Sequence, residues 1–293
     1  MERARPRRGT VSANGMRFAY FELGEGPLAL CLHGFPDSPY TWRHLMPALA
    51  DAGYRAVAPF MRAFAPTDIP PDGTCQVGAL IADAIALHEA LGGDDRAVLV
   101  GHDFGALATY GAAAHAPERW RRAVGMTVPP AGAMPRGFLD YEHLKRAFYL
   151  FLIQTPMAEL ALSANDMAFI DSLWRDWAPD YDSAADAARA KSCLRDPRHL
   201  RAVLSYQRSG FNASLHRPEY AAEQRASELR PRRPTLYLHG SENRRMALRL
   251  VRDAGRRLGE DGRMDVVEGA GHFLHLERPA EVNARILDWL TAA

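Results

Sequence analysis

Residues 96–105 read RAVLVGHDFG, and no other segment indicates more about this chain. Residues 96–100 form an apolar run typical of a buried parallel strand, and the Ala- and Gly-rich residues after Phe104 are typical of a closely packed helix. The pentapeptide between them fits a strand-to-helix turn of the form G-x-nucleophile-x-G, in which Gly101 and Gly105 avoid collisions at a sharp reversal. Asp103 would then point out of the sheet as a nucleophile, although Asp at such a junction is also a common helix N-cap.

The identity of the residue at the turn selects the chemistry. A Ser at this position would hydrolyse esters or amides, whereas Asp103 would displace a leaving group at a saturated carbon. The product of that attack is an alkyl ester of the enzyme, which water must then cleave.

The composition is that of one large domain, or of one domain with an insertion. A net charge of +1 and a pI near 7.8 argue against nucleic acid or an anionic membrane as the main partner. The basic residues at the N-terminus precede no apolar run, so neither a signal peptide nor an anchor is expected. Three scattered cysteines predict free thiols and a cytoplasmic location, and they show no metal-ligand spacing.

Strands and helices alternate along the first half of the chain. Strands are predicted at 11–23 (a hairpin around Asn14-Gly15), 27–32, 54–59, 96–100, 122–127, 234–239 and 264–267. Helices are predicted at 41–52, 76–91, from 104 onward, at 247–258 and at 279–290. This alternation predicts an α/β fold with a mostly parallel sheet and helices on both faces.

The alternation stops between residues 129 and 231, where amphipathic helical sequence replaces it and no convincing strand is found. We expect a helical cap there, inserted into a core made of residues 1–128 and 232–293. The combination of a nucleophile turn, a sheet and an inserted cap resembles the α/β-hydrolase architecture.

Two further motifs complete the expected site. His272 lies in the loop after the last predicted strand, and the chain order nucleophile, acid, His is that of the α/β-hydrolase triad. The tetrapeptide His33-Gly34-Phe35-Pro36 follows an early strand. The backbone N–H groups of Phe35 and Phe104 would hold a developing oxyanion.

Together these motifs resemble the epoxide hydrolase family, and the resemblance covers nearly the whole length of the chain. Residues 149–156, YLFLIQTP, are similar to the family's cap motif, in which a Tyr precedes a Gln by five residues and a Pro by seven. Tyr206 matches the second cap tyrosine. The resemblance implies that Tyr149 and Tyr206 donate hydrogen bonds to the epoxide oxygen, although both could instead be tyrosines that pack on the core.

The resemblance implies a small apolar epoxide as substrate, a vicinal diol as product, and neither a metal nor an organic cofactor. Four further residues are expected to line the substrate pocket: His33, Pro36, His102 and Phe60. Phe60 and Ala63 depart from the family pattern, which has Asp and Gly at those two places. The oligomeric state is left open, with a homodimer as one arrangement that the sequence allows.

The main departure from the family concerns the acid that should orient His272. The family places Asp three residues after the Gly that ends the preceding strand, and counting from Gly240 this position is held by Asn243. Asn can fix the tautomer of the imidazole but cannot stabilise an imidazolium by charge. Glu242 is one residue earlier and one methylene longer, and could take over. Both are therefore candidates, with Asn243 favoured.

Three alternatives to an ordinary epoxide hydrolase stay open. A haloalkane-dehalogenase-like enzyme shares the Asp nucleophile, but it needs N–H side chains for the halide, and Phe35 and Phe104 offer none. A binding protein or weakly active homologue would retain the pocket without efficient turnover. Finally, Asn243 could have been introduced into a working enzyme to trap the alkyl ester.

Overall fold

The fold is described by a computed structural model that covers residues 5–133 and 137–292. Within those ranges one sheet contains the strands β1 (Arg7–Ala13), β2 (Met16–Leu23), β3 (Leu28–Leu32), β4 (Arg55–Pro59), β5 (Val98–His102), β6 (Arg122–Met126), β7 (Thr235–Gly240) and β8 (Arg263–Val267). The strand order is β1-β2-β4-β3-β5-β6-β7-β8. Strands β1 and β2 pair antiparallel, β2 joins β4 antiparallel, and every other pairing is parallel. The predicted α/β fold is confirmed.

The helices follow the strands in the expected alternation. They are α1 (Leu45–Asp51), α2 (Val77–Ala90), α3 (Phe104–His115), α4 (Tyr141–Arg146), α5 (Phe148–Ile153), α6 (Ala158–Trp177), α7 (Ala184–Leu194), α8 (Pro197–Phe211), α9 (Ala221–Ala226), α10 (Leu274–Glu277) and α11 (Pro279–Thr291). Within residues 5–133 and 137–292, none of them combines the length and the hydrophobicity that crossing a bilayer requires. The cysteines Cys31, Cys75 and Cys193 are buried free thiols.

The hairpin predicted around Asn14-Gly15 joins β1 and β2 as a two-residue turn. Ala13 pairs with Met16, and φ is 44° at Asn14 and 72° at Gly15. Positive φ at both central positions matches the right-handed twist of the strands, and Asn-Gly tolerates it. The sequence signal and the backbone geometry therefore agree.

The central strands bring the functional loops to one edge of the sheet. Strands β3, β5 and β7 are buried along their whole length, as expected where helices cover both faces. Because β3, β5, β6, β7 and β8 run parallel, the loops after their carboxyl ends emerge side by side. These loops begin near His33, Asp103, Gly240 and Gly269.

Helices α4 to α8 lie between β6 and β7 in the chain and form the cap segment. Helix α9, which the sequence places within the expected cap of residues 129–231, packs on core helices α2 and α3. One contact is a hydrogen bond from the Gly78 N–H to Oε1 of Gln224, at 2.8 Å. The expected boundary at 231 therefore encloses a helix that contacts the core.

The prediction of an α-helix over 247–258 is wrong. The structure has two short 3₁₀ helices there, Leu248–Leu250 and Ala254–Arg257. Val251 and Ala254 are both fully buried, and their spacing of three suits a 3₁₀ turn, in which residues three apart eclipse. The helix predicted over 41–52 is likewise divided, into a 3₁₀ turn at Pro39–Arg43 and the shorter helix α1.

Candidate active site

Asp103 sits at the sharp turn between β5 and α3. Its φ of 54° and ψ of −115° are unusual for a residue with a side chain and cost about 1–3 kcal/mol. A Cβ at Gly101 would collide with the Gly105 carbonyl, and one at Gly105 would collide with the Leu32 carbonyl. The two glycines are thus required by the close approach of backbone at the turn.

The Asp103 carboxylate is held by the loop that follows β3. The N–H of Phe35 donates to Oδ1 of Asp103 at 3.0 Å, and the carboxylate is only 4% exposed. A Cβ at Gly34 would collide with the Asp103 side chain, so the loop can approach this closely only with glycine there. Phe104 begins α3, and its N–H has no acceptor within the helix. Both amides expected to stabilise an oxyanion therefore border Asp103.

His272 faces the carboxylate from the loop after β8. Its Nε2 lies 4.0 Å from Oδ2 of Asp103, too far for a direct hydrogen bond but within reach through one water. The His272 N–H donates to the Trp177 carbonyl at 3.2 Å. Glu277 accepts from the N–H groups of Gly271 and Phe273, at 2.8 and 3.0 Å. The cap and α10 thus fix the backbone that carries the imidazole.

Neither proposed partner reaches the other side of that imidazole. The buried Nδ1 of His272 has no hydrogen-bond partner among the described residues. Oδ1 of Asn243 accepts from the Met246 N–H at 3.0 Å, and its Nδ2 is buried without a partner. Glu242 is exposed. The expectation that one of the two hydrogen bonds to His272 is therefore wrong for this structure, because the backbone occupies Asn243 and solvent surrounds Glu242.

The surroundings keep His272 neutral. Burial holds the pKa of His272 well below its usual value of 6.5, and the nearby charges of His102 and Arg245 lower it further. A neutral imidazole is the form that accepts a proton from water. Without a carboxylate on Nδ1, however, the imidazolium that forms has no direct counter-charge.

Tyr149, on α5, is buried and points its hydroxyl at the loop after β7. The hydroxyl oxygen accepts a hydrogen bond from Nε of Arg245 at 3.1 Å. Burial raises the pKa of the Tyr149 phenol, Arg245 opposes that rise, and the charge of Asp103 adds to it. The ring also lies 5.3 Å from that of Trp177, which in turn is 4.8 Å from the imidazole of His272. Tyr149 is therefore linked to the base through Trp177, and the charge of the nucleophile acts on its phenol.

Tyr206, on α8, differs from the expectation. Its ring packs on Phe104 with 5.1 Å between centroids, but its hydroxyl donates to the Arg62 carbonyl at 3.0 Å. Arg62 is itself fixed by a buried, two-bond ion pair with Asp83, at 2.6 and 2.7 Å. The phenol hydrogen of Tyr206 is therefore committed to backbone, which is a different arrangement from a second donor for the epoxide oxygen.

The loop residues His33 and Pro36 have supporting contacts. Nε2 of His33 accepts from the Met61 N–H at 3.1 Å, so Nδ1 carries the hydrogen and donates to the Gly34 carbonyl at 2.9 Å. Burial lowers the pKa of His33 to about 3, which keeps this tautomer neutral. The Pro36 carbonyl accepts from Nε1 of Trp174 at 2.8 Å. Both residues shape the loop next to Asp103 and tie it to the cap.

Phe60 is buried, and its ring packs against those of Phe21 and Tyr40. It forms part of the wall of a separate cavity of about 560 Å³, together with Tyr20 and Tyr40. The expectation that Phe60 lines the substrate pocket stays a prediction. Ala63 adopts a φ of 66°, a left-handed conformation that favours glycine, so the departure from the family pattern at this position adds backbone strain.

His102 is buried against the loop that carries His272, and its expected place in the pocket wall stays a prediction. Its Nε2 bonds to the His272 carbonyl at 3.0 Å, and its ring packs on His275 with 4.6 Å between centroids. Asp37, His102 and His275 are all buried, with ligand atoms within 4.8 Å of one another. This geometry would admit a metal ion, but Asp-based displacement followed by ester hydrolysis requires none.

Two contributors to the site had little sequence signal. Arg245 reaches Tyr149 from the loop after β7, and Trp177, at the end of α6, contacts Tyr149 and His272. Trp177 also lines a cavity of about 800 Å³ between the cap and that loop. In the sequence, the Arg-Arg pair at 244–245 is typical of a solvated surface. The structure shows that Arg244 is exposed, whereas the side chain of Arg245 turns inward to Tyr149.

The sequence matches known proteins over most of its length. Residues 27–279 match the family model of the alpha/beta hydrolase fold. The chain is 29% identical to epoxide hydrolase A of Mycobacterium tuberculosis, with 98% of each chain covered. It is 30% identical to epoxide hydrolase 2 of Siraitia grosvenorii, over 96% of this chain and 97% of that one.

A solved structure has the same architecture. Epoxide hydrolase A from Mycobacterium thermoresistibile superposes with a TM-score of 0.78 and 26% identity, and the match covers 98% of each chain. Length, fold and sequence thus agree over nearly the whole molecule. The chain belongs to the α/β-hydrolase fold family and, within it, to the epoxide hydrolases.

Proposed function

We propose that this protein opens a small apolar epoxide to a vicinal diol through an alkyl ester on Asp103. The observation that carries the proposal is the arrangement of three buried groups around Asp103. The Phe35 amide orients Asp103, and Nε2 of His272 lies 4.0 Å from the Asp103 carboxylate. The charge of Asp103 also raises the pKa of the Tyr149 phenol. These are a nucleophile, a base and an acid, which is what the two steps require.

In the first step, an Oδ atom of Asp103 attacks an epoxide carbon from the face opposite the ring oxygen. The new carbon–oxygen bond forms as the ring bond breaks, and the electron pair moves to the ring oxygen. That oxygen takes the phenol proton of Tyr149, leaving a hydroxyalkyl ester and a phenolate. In this structure Tyr206 supports the pocket through Arg62 and Phe104 and supplies no proton.

In the second step, His272 accepts a proton from water as the water attacks the ester carbonyl. The N–H groups of Phe35 and Phe104 hold the resulting oxyanion, which collapses to release the diol and restore Asp103. The proton on His272 then returns to the Tyr149 phenolate through solvent or product. Because His272 has no acid on Nδ1, we propose that this step is the slower one.

The function is tested by incubating the protein with styrene oxide and quantifying the diol. Asp103→Ala abolishes both diol and adduct, because the described elbow offers no second carboxylate. Asp51→Ala is the matched control, since Asp51 is an exposed carboxylate at the end of α1. Turnover by Asp103→Ala at a tenth of the parental rate or more would overturn the nucleophile assignment.

The remaining alternatives give different outcomes in related assays. Halide release from a haloalkane with no diol from epoxides would favour a dehalogenase. Tight binding of the epoxide with neither adduct nor diol would favour a binding protein. An adduct on Asp103 that forms at once and decays slowly is the outcome expected from the unpaired Nδ1 of His272.

A further inference from the structure

Arg245 is a cation on the loop after β7, in which the sequence predicted only the acid that orients His272. Its side chain reaches Tyr149 in the candidate site. Its Nε–H donates to the Tyr149 hydroxyl oxygen at 3.1 Å, and its guanidinium carbon lies 5.9 Å from the centre of the Tyr149 ring. The hydrogen bond fixes the direction of proton donation. Arg can only donate, so the phenol oxygen accepts there and its own hydrogen is left for another acceptor.

We propose, on the basis of the proposed function, that Arg245 is a positioning residue that favours ring opening and slows ester hydrolysis. It acts through Tyr149 in the first step and against His272 in the second. Both effects come from one positive charge that stays in place while the negative charge of the reaction moves.

In ring opening, negative charge leaves Asp103, which becomes a neutral ester, and arrives on Tyr149, which becomes a phenolate. Arg245 is hydrogen-bonded to the Tyr149 oxygen, which carries the negative charge after ring opening. The attraction between the guanidinium and the phenolate therefore stabilises the product of this step. A hydrogen-bond donor that is already oriented toward the atom where negative charge develops lowers the barrier of the step. Burial raises the pKa of Tyr149, and Arg245 counteracts part of that rise.

In ester hydrolysis, the same cation is unfavourable. His272 must become an imidazolium, and the charge of Arg245 is among the influences that lower the pKa of His272. Trp177 bridges the two sides of the pocket, with its ring 5.3 Å from Tyr149 and 4.8 Å from His272. No described acid on Nδ1 of His272 offsets this repulsion. The charge of Arg245 and the unpaired Nδ1 therefore both make protonation of His272 less favourable.

The test measures both steps separately with styrene oxide in rapid-quench mass spectrometry. Arg245→Met should slow alkylation of Asp103 by about 10- to 100-fold, the range for loss of one charge-assisted hydrogen bond. The same variant should cleave the ester faster than the parent. Arg245→Lys retains the charge and should recover part of the alkylation rate while leaving hydrolysis slow. Arg252→Met is the matched control, because Arg252 is exposed, and it should change neither rate.

A pH profile provides a readout that a purely structural role would not change. Alkylation needs the protonated phenol, so its rate falls at high pH as Tyr149 ionises. Removal of Arg245 raises the pKa of Tyr149, and that fall should move to higher pH in Arg245→Met. In a Tyr149→Phe background, Arg245→Met should have almost no further effect on alkylation.

Each contrary result is distinct. If both rates fall together in Arg245→Met, or if alkylation is unchanged, the proposal is wrong. If Arg245→Met does not fold, Arg245→Gln removes the charge but keeps a polar side chain, and its two rates and its pH profile decide the proposal in the same way. If the parent protein itself forms no adduct with styrene oxide or other epoxides, the proposed function fails rather than the role of Arg245.

Discussion

The two cap tyrosines should respond differently to loss of their hydroxyl groups. The Tyr149 hydroxyl accepts from Arg245 and has its hydrogen free, whereas the Tyr206 hydroxyl donates to the Arg62 carbonyl at 3.0 Å. Loss of one positioned donor at developing charge costs about 10²–10³ in rate, or about 2.7–4 kcal/mol. Tyr149→Phe should therefore slow alkylation by that factor.

Tyr206→Phe should behave as a stability variant. It removes a buried hydrogen bond and leaves the Arg62 carbonyl without its donor, which costs about 1–3 kcal/mol of unfolding free energy. Its effect on alkylation should stay within about tenfold, or about 1.4 kcal/mol. The pair is well matched, because both rings are buried and both changes remove a single oxygen.

The assay is a single turnover with excess protein, quenched at intervals and analysed by mass spectrometry for the ester on Asp103. Urea unfolding of the same preparations gives the stability. Equal losses of alkylation in the two variants, or a larger loss in Tyr206→Phe, would refute the reasoning. That result would show that Tyr206 leaves Arg62 and turns toward the epoxide when substrate binds.

Three further predictions concern the base and the support of the site. Asn243→Asp should leave alkylation nearly unchanged and change ester decay by less than about tenfold, or about 1.4 kcal/mol, because no hydrogen bond joins Asn243 to His272 in this structure; decay faster by orders of magnitude in quench-flow would show that a carboxylate at position 243 supports His272. Because the pKa of His272 is lowered, its basic form persists in acid, so ester decay should stay level from about pH 8 to about pH 6 and fall only below that range, whereas a fall centred near pH 6.5 would contradict the burial argument. Asp83→Ala should lower the unfolding free energy by about 3–5 kcal/mol in urea titration, because it leaves Arg62 buried without its counter-charge, and a loss below about 1 kcal/mol would show that solvent reaches the pair.

Local backbone rules accounted for the parts of the fold that the sequence predicts correctly. The hairpin at Asn14-Gly15 and the turn at Asp103 both depend on φ values that few residue types tolerate, so the residues themselves reveal the geometry. The helix expected over 247–258 failed because a spacing of three between buried residues fits 3₁₀ turns as well as an α-helix.

In the candidate site too, the sequence predicts correctly the residues whose positions the local backbone fixes. Asp103 follows β5 directly and His272 lies in the loop after β8, so the sheet brings both to the same edge and the sequence suffices to predict that they meet. Tyr206 and Arg245 have long side chains whose direction depends on tertiary neighbours, Arg62 for one and Tyr149 for the other. Sequence spacing carries no information about that choice.

The most direct test of the covalent mechanism follows one oxygen atom. With protein in excess over epoxide, a single turnover is run in water enriched in a heavy oxygen isotope. If Asp103 is the nucleophile, its own oxygen leaves in the diol and the water oxygen enters the carboxylate. The account predicts an unlabelled diol and a heavier peptide containing Asp103. A labelled diol from the first turnover, with an unlabelled Asp103, would show that water attacks the epoxide directly and would contradict the account.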